Sequence, residues 1–348
     1  MAQSTICFGK DTSLGGSDLR TSVCDRLDIN VPIILAPMGG AVGPDLAAAV
    51  SNAGGLGILP LWYQSLEDVR TIVRETRSKT TLPFAANLNL EFPMEERLEV
   101  CLEEGVPIIS FFWKSPGHLV EKAKKAGATV LYTVGDAEAA KQAVDIGVDI
   151  IVAQGWEAGG HVRGTVATMP LVPAVIDRIG DVPVIAAGGI ADGRGLAAAL
   201  ALGAGAGWIG TRFLASTEAT IHQDYRNKLL ASSENDTVYL EDLFDVGWPN
   251  APHRALRNST IDAWEEAGCP ASGARPGEGE IIVQSASRGE IPRYRTFTPG
   301  PDAVGDIEAC SMWAGQTVAM VRKTQPAGEI VAEIMSEANA VISGLARR

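Results

Sequence analysis

The chain has 348 residues, 46% of them hydrophobic, which is enough to bury a large core as one big α/β domain with an appendage. Acidic residues outnumber basic ones 42 to 29, and the formal charge of -13 argues against nucleic acid or an anionic membrane surface as partner. No stretch approaches the roughly 18 apolar residues of a membrane span, and the opening MAQSTICFGK has no apolar leader, so a cytoplasmic protein is expected.

From Pro32 to Leu214 eight short apolar runs alternate with amphipathic or Ala-rich stretches, the pattern of βα units around a parallel sheet. The predicted strands are 32–36, 56–59, 84–87, 108–112, 129–133, 149–153, 184–187 and 207–209. Helices are predicted over 44–53, 65–77, 116–126, 136–147 and 192–202, because each begins at a capping residue or proline and several end at glycine. Eight successive units close a (β/α)8 TIM barrel more naturally than the runner-up, a doubly wound sheet. Beyond Thr217, Trp, Pro, Arg and Asn become frequent. The expected organisation is therefore an N-terminal extension (1–31), a barrel (32–217) and a mostly helical and irregular C-terminal appendage (218–348) packing on it. Within the appendage, 303–322 and 327–346 are predicted as helices.

In a parallel barrel the chemistry sits at the C-terminal ends of the strands. After the first run, Ala36-Pro37-Met38-Gly39-Gly40 forms a turn in which Pro37 fixes the backbone and Met38 offers a polarizable wall for a flat ring. Asn87 and Asn89 follow the third run, and Asn87 is preferred as a ligand to ring carbonyls. After the sixth run, the Gly-rich segment Ala153-Gln154-Gly155-Trp156-Glu157-Ala158-Gly159-Gly160-His161-Val162-Arg163-Gly164 carries an amide, an acid and an imidazole. So many glycines in a mere connection would cost chain entropy without return, so this backbone is expected to contact a ligand. His161, with an ordinary pKa near ~6.5, is the leading general acid-base candidate, and Glu157 is expected to orient the loop.

Two further loops carry glycine pairs or a helix start: Ala187-Gly188-Gly189-Ile190 after the seventh run and Trp208-Ile209-Gly210-Thr211 after the eighth. Both lie where barrels bind phosphate, and a helix N-terminus is expected to add favourable partial charge. They point to a phosphate-anchored cofactor. Four histidines (His118, His161, His222, His253) show no metal-ligand spacing, so no metal is expected. The five cysteines (Cys7, Cys24, Cys101, Cys269, Cys310) are scattered and form no CxxC pair, consistent with reduced thiols and no cysteine nucleophile.

These motifs together resemble the nitronate monooxygenase family of FMN barrels, formerly called 2-nitropropane dioxygenases. The carriers are Ala36-Pro37-Met38, the segment from Ser51 to Gly57, Ala153-Gln154-Gly155 with Glu157-Ala158-Gly159-Gly160-His161, Pro183 to Gly195, and Gly210-Thr211. Val162 lengthens the family's usual Gly-His-Arg-Gly run. The resemblance implies FMN held by Met38, Asn87, Gln154, Gly159, Gly189 and Trp208-Ile209-Gly210-Thr211, with His161 near the flavin as the catalytic residue. Pro37, Gly160 and Gly188 complete the candidate cofactor set from the loops above. The implied reaction oxidises an alkyl nitronate with O2 to a carbonyl compound and nitrogen oxides. The likeness also extends to NAD(P)H-dependent flavin reductases acting on a quinone or an enoyl thioester, and a flavin-free barrel that binds a phosphorylated metabolite stays open as a third reading. Assembly into a homo-oligomer and the role of Asp245-Val246-Gly247-Trp248-Pro249 stay open too.

Overall fold

A computed structural model describes residues 19–347; Cys7 and the opening segment lie outside that range. Eight parallel strands form the central sheet: β1 (Ile33–Leu35), β2 (Gly57–Pro60), β3 (Phe84–Asn89), β4 (Ile108–Phe112), β5 (Thr129–Val134), β6 (Ile150–Gln154), β8 (Val184–Ala187) and β9 (Ala206–Ile209). The two-residue β7 (Gly160–His161) stands apart, in the loop after β6. The order β1-β9-β8-β6-β5-β4-β3-β2 is that of a barrel. It closes where Leu35 N donates to Leu56 O (2.9 Å) and Leu56 N to Ile33 O (3.0 Å), so the fold is a TIM barrel as the eight runs predicted.

The strands read as unbroken apolar runs because both faces are buried. Side chains of Ile34, Leu56, Ile58, Ala85, Ile108, Leu131, Ile150, Val152, Ile185 and Trp208 fill the barrel. Their alternates, including Ile33, Leu35, Leu59, Ala86, Ile109, Val130, Ile151, Ala186 and Ile209, meet the outer helices. A short helix, Ser22–Leu27, capped by Thr21, closes the N-terminal end by inserting Val23, Cys24 and Leu27 into the barrel interior.

Outer helices begin where their caps predict. Ser65, Asp136 and Asp192 accept the amides of Asp68 (3.1 Å), Ala139 (2.7 Å) and Gly195 (3.0 Å) at the starts of Leu66–Lys79, Ala137–Asp145 and Gly193–Ala201. The final helix, Ala327–Ala346, also belongs to this ring. It packs against Gly193–Ala201 and Pro44–Asn52, and its Ala327, Ile330, Val331, Ile334 and Ala338 share the barrel's outer core. The segment before it, 218–326, is thus inserted between β9 and the helix that completes the ring.

That insertion adds two small antiparallel sheets to its helical and irregular stretches. One consists of β10 (Thr237–Leu240) and β11 (His253–Leu256), with β7 of the barrel loop as third strand; the other of β12 (Ile281–Ser285), β13 (Gly289–Pro292) and β14 (Ala303–Gly305). The helix predicted over 303–322 does not form. Gly305 takes φ +137°, outside helical space, and Ala303, Ile307, Ala309 and Cys310 bury instead against β12 and β13, leaving only the 3-10 turn Gln316–Met320. Among the described residues no helix is long and apolar enough to cross a membrane.

Candidate active site

A cavity of about 800 Å3 opens at the C-terminal mouth of the barrel. Its polar lining follows from strand register. The inward positions are apolar deep in the barrel and turn polar one step higher: Ala85 to Asn87 on β3, Ile108 to Ser110 on β4, Leu131 to Thr133 on β5, Val152 to Gln154 on β6. Asn87 is fully enclosed; its Nδ2 donates to Ser110 Oγ at 3.0 Å, while its Oδ1 has no hydrogen-bond partner. A buried acceptor left bare at a cavity wall calls for a donor on a ligand.

Pro37, Met38, Asn87, Gln154, Gly159, Gly160, His161, Gly188, Gly189, Trp208, Gly210 and Thr211 all line this one cavity. Ile209 does not. Strand alternation turns its side chain into the helix layer, and its backbone carbonyl is taken by Ala36 N at 2.9 Å. The Gln154 amide is engaged within its own loop: Nε2 donates to His161 O (3.0 Å) and Oε1 accepts from Arg163 N (3.2 Å). Glu157 caps the helix Thr168–Ile179, both carboxylate oxygens lying 3.1 Å from Thr168 N.

The glycine cradle has a steric cause. Gly188 and Gly189 take φ +89° and +72°, and a Cβ on Gly188 would lie 3.1 Å from both Ala158 Cβ and Gly155 O. The helix after this loop does not contribute the N-terminal charge expected of it. Asp192 caps it, and Glu337 of the final helix accepts Gly193 N at 2.8 Å. The Gly188-Gly189 turn and Gly210-Thr211, where the short helix Thr211–Leu214 begins, face the same cavity.

His161 is placed by the inserted segment. It pairs with His253 across β7 and β11, and Val162 N donates to Pro252 O at 2.9 Å. The imidazole stacks on Trp248 (centroids 3.7 Å, planes 23° apart) and is flanked by Trp313 (5.3 Å) and Trp113 (6.1 Å). Its Nε2 is covered and has no partner. Burial in this aromatic box, reinforced by neighbouring His253, holds its pKa well below the ordinary imidazole value. The expectation of a group titrating near neutrality is corrected: at neutral pH His161 is an uncharged imidazole, able to accept a proton or donate one hydrogen bond.

A family model described as "Nitronate monooxygenase" matches residues 20–96 and 91–337, spanning barrel and insertion alike. The chain belongs to the nitronate monooxygenase family. As such it is an oxidoreductase of a flavin-dependent family acting on small molecules. A nitronate monooxygenase of Paraburkholderia phytofirmans is 33% identical over 89% of this chain and 93% of its own length. A (3aS,4S,5R,7aS)-5-hydroxy-7a-methyl-1-oxo-octahydro-1H-indene-4-carboxyl-CoA dehydrogenase of Rhodococcus jostii is 36% identical over 72% of this chain and 70% of its own. Among solved structures, FabK of Thermotoga maritima superposes with a TM-score of 0.77 at 33% identity, covering 94% of this chain and 98% of FabK. The nitroalkane oxidase of Streptomyces ansochromogenes gives 0.75 at 26%, covering 93% and 99%.

In this family member the remaining candidates keep structural roles. His253 is buried, with Nδ1 on Ala251 O (2.9 Å), and its pKa is lowered to about 4 by burial. His222 caps the helix Gln223–Ala231 by accepting Asp224 N at 3.1 Å. Burial raises the thiols of Cys101 and Cys310 to about 12, which removes them as nucleophiles. Residues that motif reading missed include Thr133, which the alternating register would have found, and the insertion's Trp248, Trp313, Arg288 and Arg295, which nothing local in the sequence ties to the barrel mouth.

Proposed function

We propose that the chain is an FMN-dependent nitronate monooxygenase that oxidises alkyl nitronates with O2 to carbonyl compounds and nitrogen oxides. The observation that carries this reading is His161: a neutral imidazole with a covered, unpartnered Nε2, set in an aromatic box at the mouth of a cavity that the glycine cradle also lines. The residues present fit FMN. The Gly188-Gly189 turn and Gly210-Thr211 would hold its phosphate, Pro37 and Met38 would wall the flat ring, and Asn87 Oδ1 would accept a ring N–H. Gly160 leaves open space for the ring, Gly159 lets the loop pack directly on Ala314-Gly315 beside it, Trp208 forms the floor, and Gln154 holds the loop that presents His161. When bound, the flavin supplies two-electron chemistry and reaction with O2.

This chain's own groups do the rest. The aromatic box excludes water, and neutral His161 either takes the α-proton of a neutral nitroalkane or donates a hydrogen bond to an oxygen of the nitronate. A reductase or dehydrogenase that takes hydride from NAD(P)H is the second reading. The Rhodococcus jostii relative, named for an acyl-CoA substrate, favours it. So do Arg288 and Arg295, which line the cavity and have no carboxylate partner among the described residues.

The experiment is anaerobic stopped-flow absorbance of the FMN-loaded protein mixed separately with propionate 3-nitronate, NADH and NADPH. Rapid change of the flavin spectrum with nitronate alone is expected. Bleaching by a nicotinamide and none by nitronate would move the protein to the second reading. A colourless protein that FMN does not reconstitute would overturn both.

A further inference from the structure

The segment Asp245-Val246-Gly247-Trp248-Pro249 is the one sequence motif that neither fold nor cofactor has so far used. It is held firmly on one side: Val246 N donates to Tyr294 O (3.1 Å), Thr296 N to Val246 O (3.0 Å), and the buried Arg275 reaches Asp245 Oδ1 at 2.7 Å. Gly247, with φ +101°, then turns the chain so that Trp248 lines the active-site cavity. The indole covers His161 and touches the rings of Trp113 (4.9 Å), Phe92 (6.2 Å) and Phe112 (6.4 Å) at the ends of β3 and β4.

A ring stack of this kind leaves two polar atoms unsatisfied. Nε1 of Trp248 and Nε2 of His161 are both buried and without a hydrogen-bond partner. Packing accounts for an apolar ring here but not for an idle donor, which costs free energy when buried without a partner. The surroundings also favour an anion. The groups facing His161 and Trp248 are neutral or cationic: His253 (5.6 Å from the imidazole), Arg163 over Trp113 (5.7 Å) and Arg295 beside Gly247. Of the acids around the cavity, Asp245 is paired with Arg275, Glu157 is held on Thr168 N, and Glu290 accepts from Gln284.

We propose that Trp248 is a substrate-positioning residue: its indole shields His161 in the free enzyme, and an entering small oxyanion displaces it and takes hydrogen bonds from Trp248 Nε1 and His161 Nε2. The turn at Gly247 is the hinge, and the anchored residues 245–246 return the ring afterwards. The inference rests on the reading of His161 as the imidazole that meets substrate. It names the substrate feature recognised, a pair of negatively charged oxygens on a small, flat group.

Two substitutions in FMN-loaded enzyme test it. Trp248→Phe keeps a ring on His161 and removes the donor; Trp248→Leu removes the stack as well. With propionate 3-nitronate, Trp248→Phe should raise KM at least tenfold while kcat changes less than threefold and flavin content stays at the wild-type value. In Trp248→Leu the His161 ring resonance, identified with His161→Gln, should titrate at a higher pH than in wild type, because water again reaches the imidazole. Wild-type KM in Trp248→Phe would overturn the donor role, and an unmoved His161 titration in Trp248→Leu would overturn the shielding role. Should the wild-type enzyme not oxidise nitronates, the reading of its function falls and this one is decided separately. Calorimetric binding of nitrate at least tenfold weaker in Trp248→Phe sustains it, and equal binding overturns it.

Discussion

At the scale of single residues, the site is governed by which polar atoms are satisfied. Oδ1 of Asn87 and Nε2 of His161 are buried and idle, and both border one cavity. Replacing Asn87 by Ala removes the acceptor and strands Ser110 Oγ, so flavin should bind about fivefold more weakly, given the ~1 kcal/mol net worth of such a bond. Equilibrium dialysis against free FMN reads this directly. His161→Gln keeps a hydrogen-bonding group but loses the basic nitrogen. Turnover of a neutral nitroalkane should fall by about 10²–10⁴, with flavin retained, while the preformed nitronate loses less. Equal losses on both forms would show that proton abstraction is not the role of His161. Since the imidazole is held neutral by burial, activity should not decline as pH rises from 6 to 8 through any titration of this group.

At the scale of elements, the two glycines after β8 are constrained from both sides. Gly188→Ala would force a side chain into positive φ, at a cost of about 1–2 kcal/mol, and press a methyl within 3.1 Å of Gly155 O. The expected result is a purified protein with reduced flavin content and a lower thermal midpoint, whereas Gly180→Ala, also at positive φ but facing open space, should lower the midpoint alone. Element identity was legible in the barrel because a two-sided apolar run admits few alternatives, and its caps are local chemistry. The helix expected over 303–322 failed for the opposite reason. Its apolar residues are spent on β12 and β13, a long-range pairing that periodicity does not encode. The site divides in the same way. Loop glycines and His161 were readable from composition and position, but Trp248 and Trp313 reach the mouth only through the folding of the insertion, and the pKa of His161 depends on them.

At the scale of the whole molecule, acid stability follows from buried histidines. The folded-state pKa of His253 is about 4, against 6.5 for a free imidazole, so between those values the unfolded chain binds more protons than the native one. Stability is therefore full above pH 6.5 and declines as pH falls toward 4, by up to about 3 kcal/mol from this group. His161 is shifted in the same direction. Urea unfolding at pH 7.5 and pH 5 should show a lower midpoint in acid, and His253→Asn should flatten part of that slope. An unchanged slope would mean that other groups carry it. Carboxylates held near 2, those of Glu278 and Asp302, add their loss only below the ordinary carboxylate range.

The position of Ala327–Ala346 in the outer ring has a consequence for how the chain is made. The barrel seam lies between β1 and β2, joined through Ile34 and Leu56, and the last helix rests on the neighbouring Pro44–Asn52 as well as on Gly193–Ala201. During synthesis every strand of the barrel leaves the ribosome well before the helix that covers this side, and the insertion emerges between them. A nascent chain thus carries an uncovered apolar stripe along Pro44–Asn52 and Gly193–Ala201 until Ala327–Ala346 appears. Ring completion, and with it a barrel firm enough to grip a cofactor, waits until the whole insertion has been made.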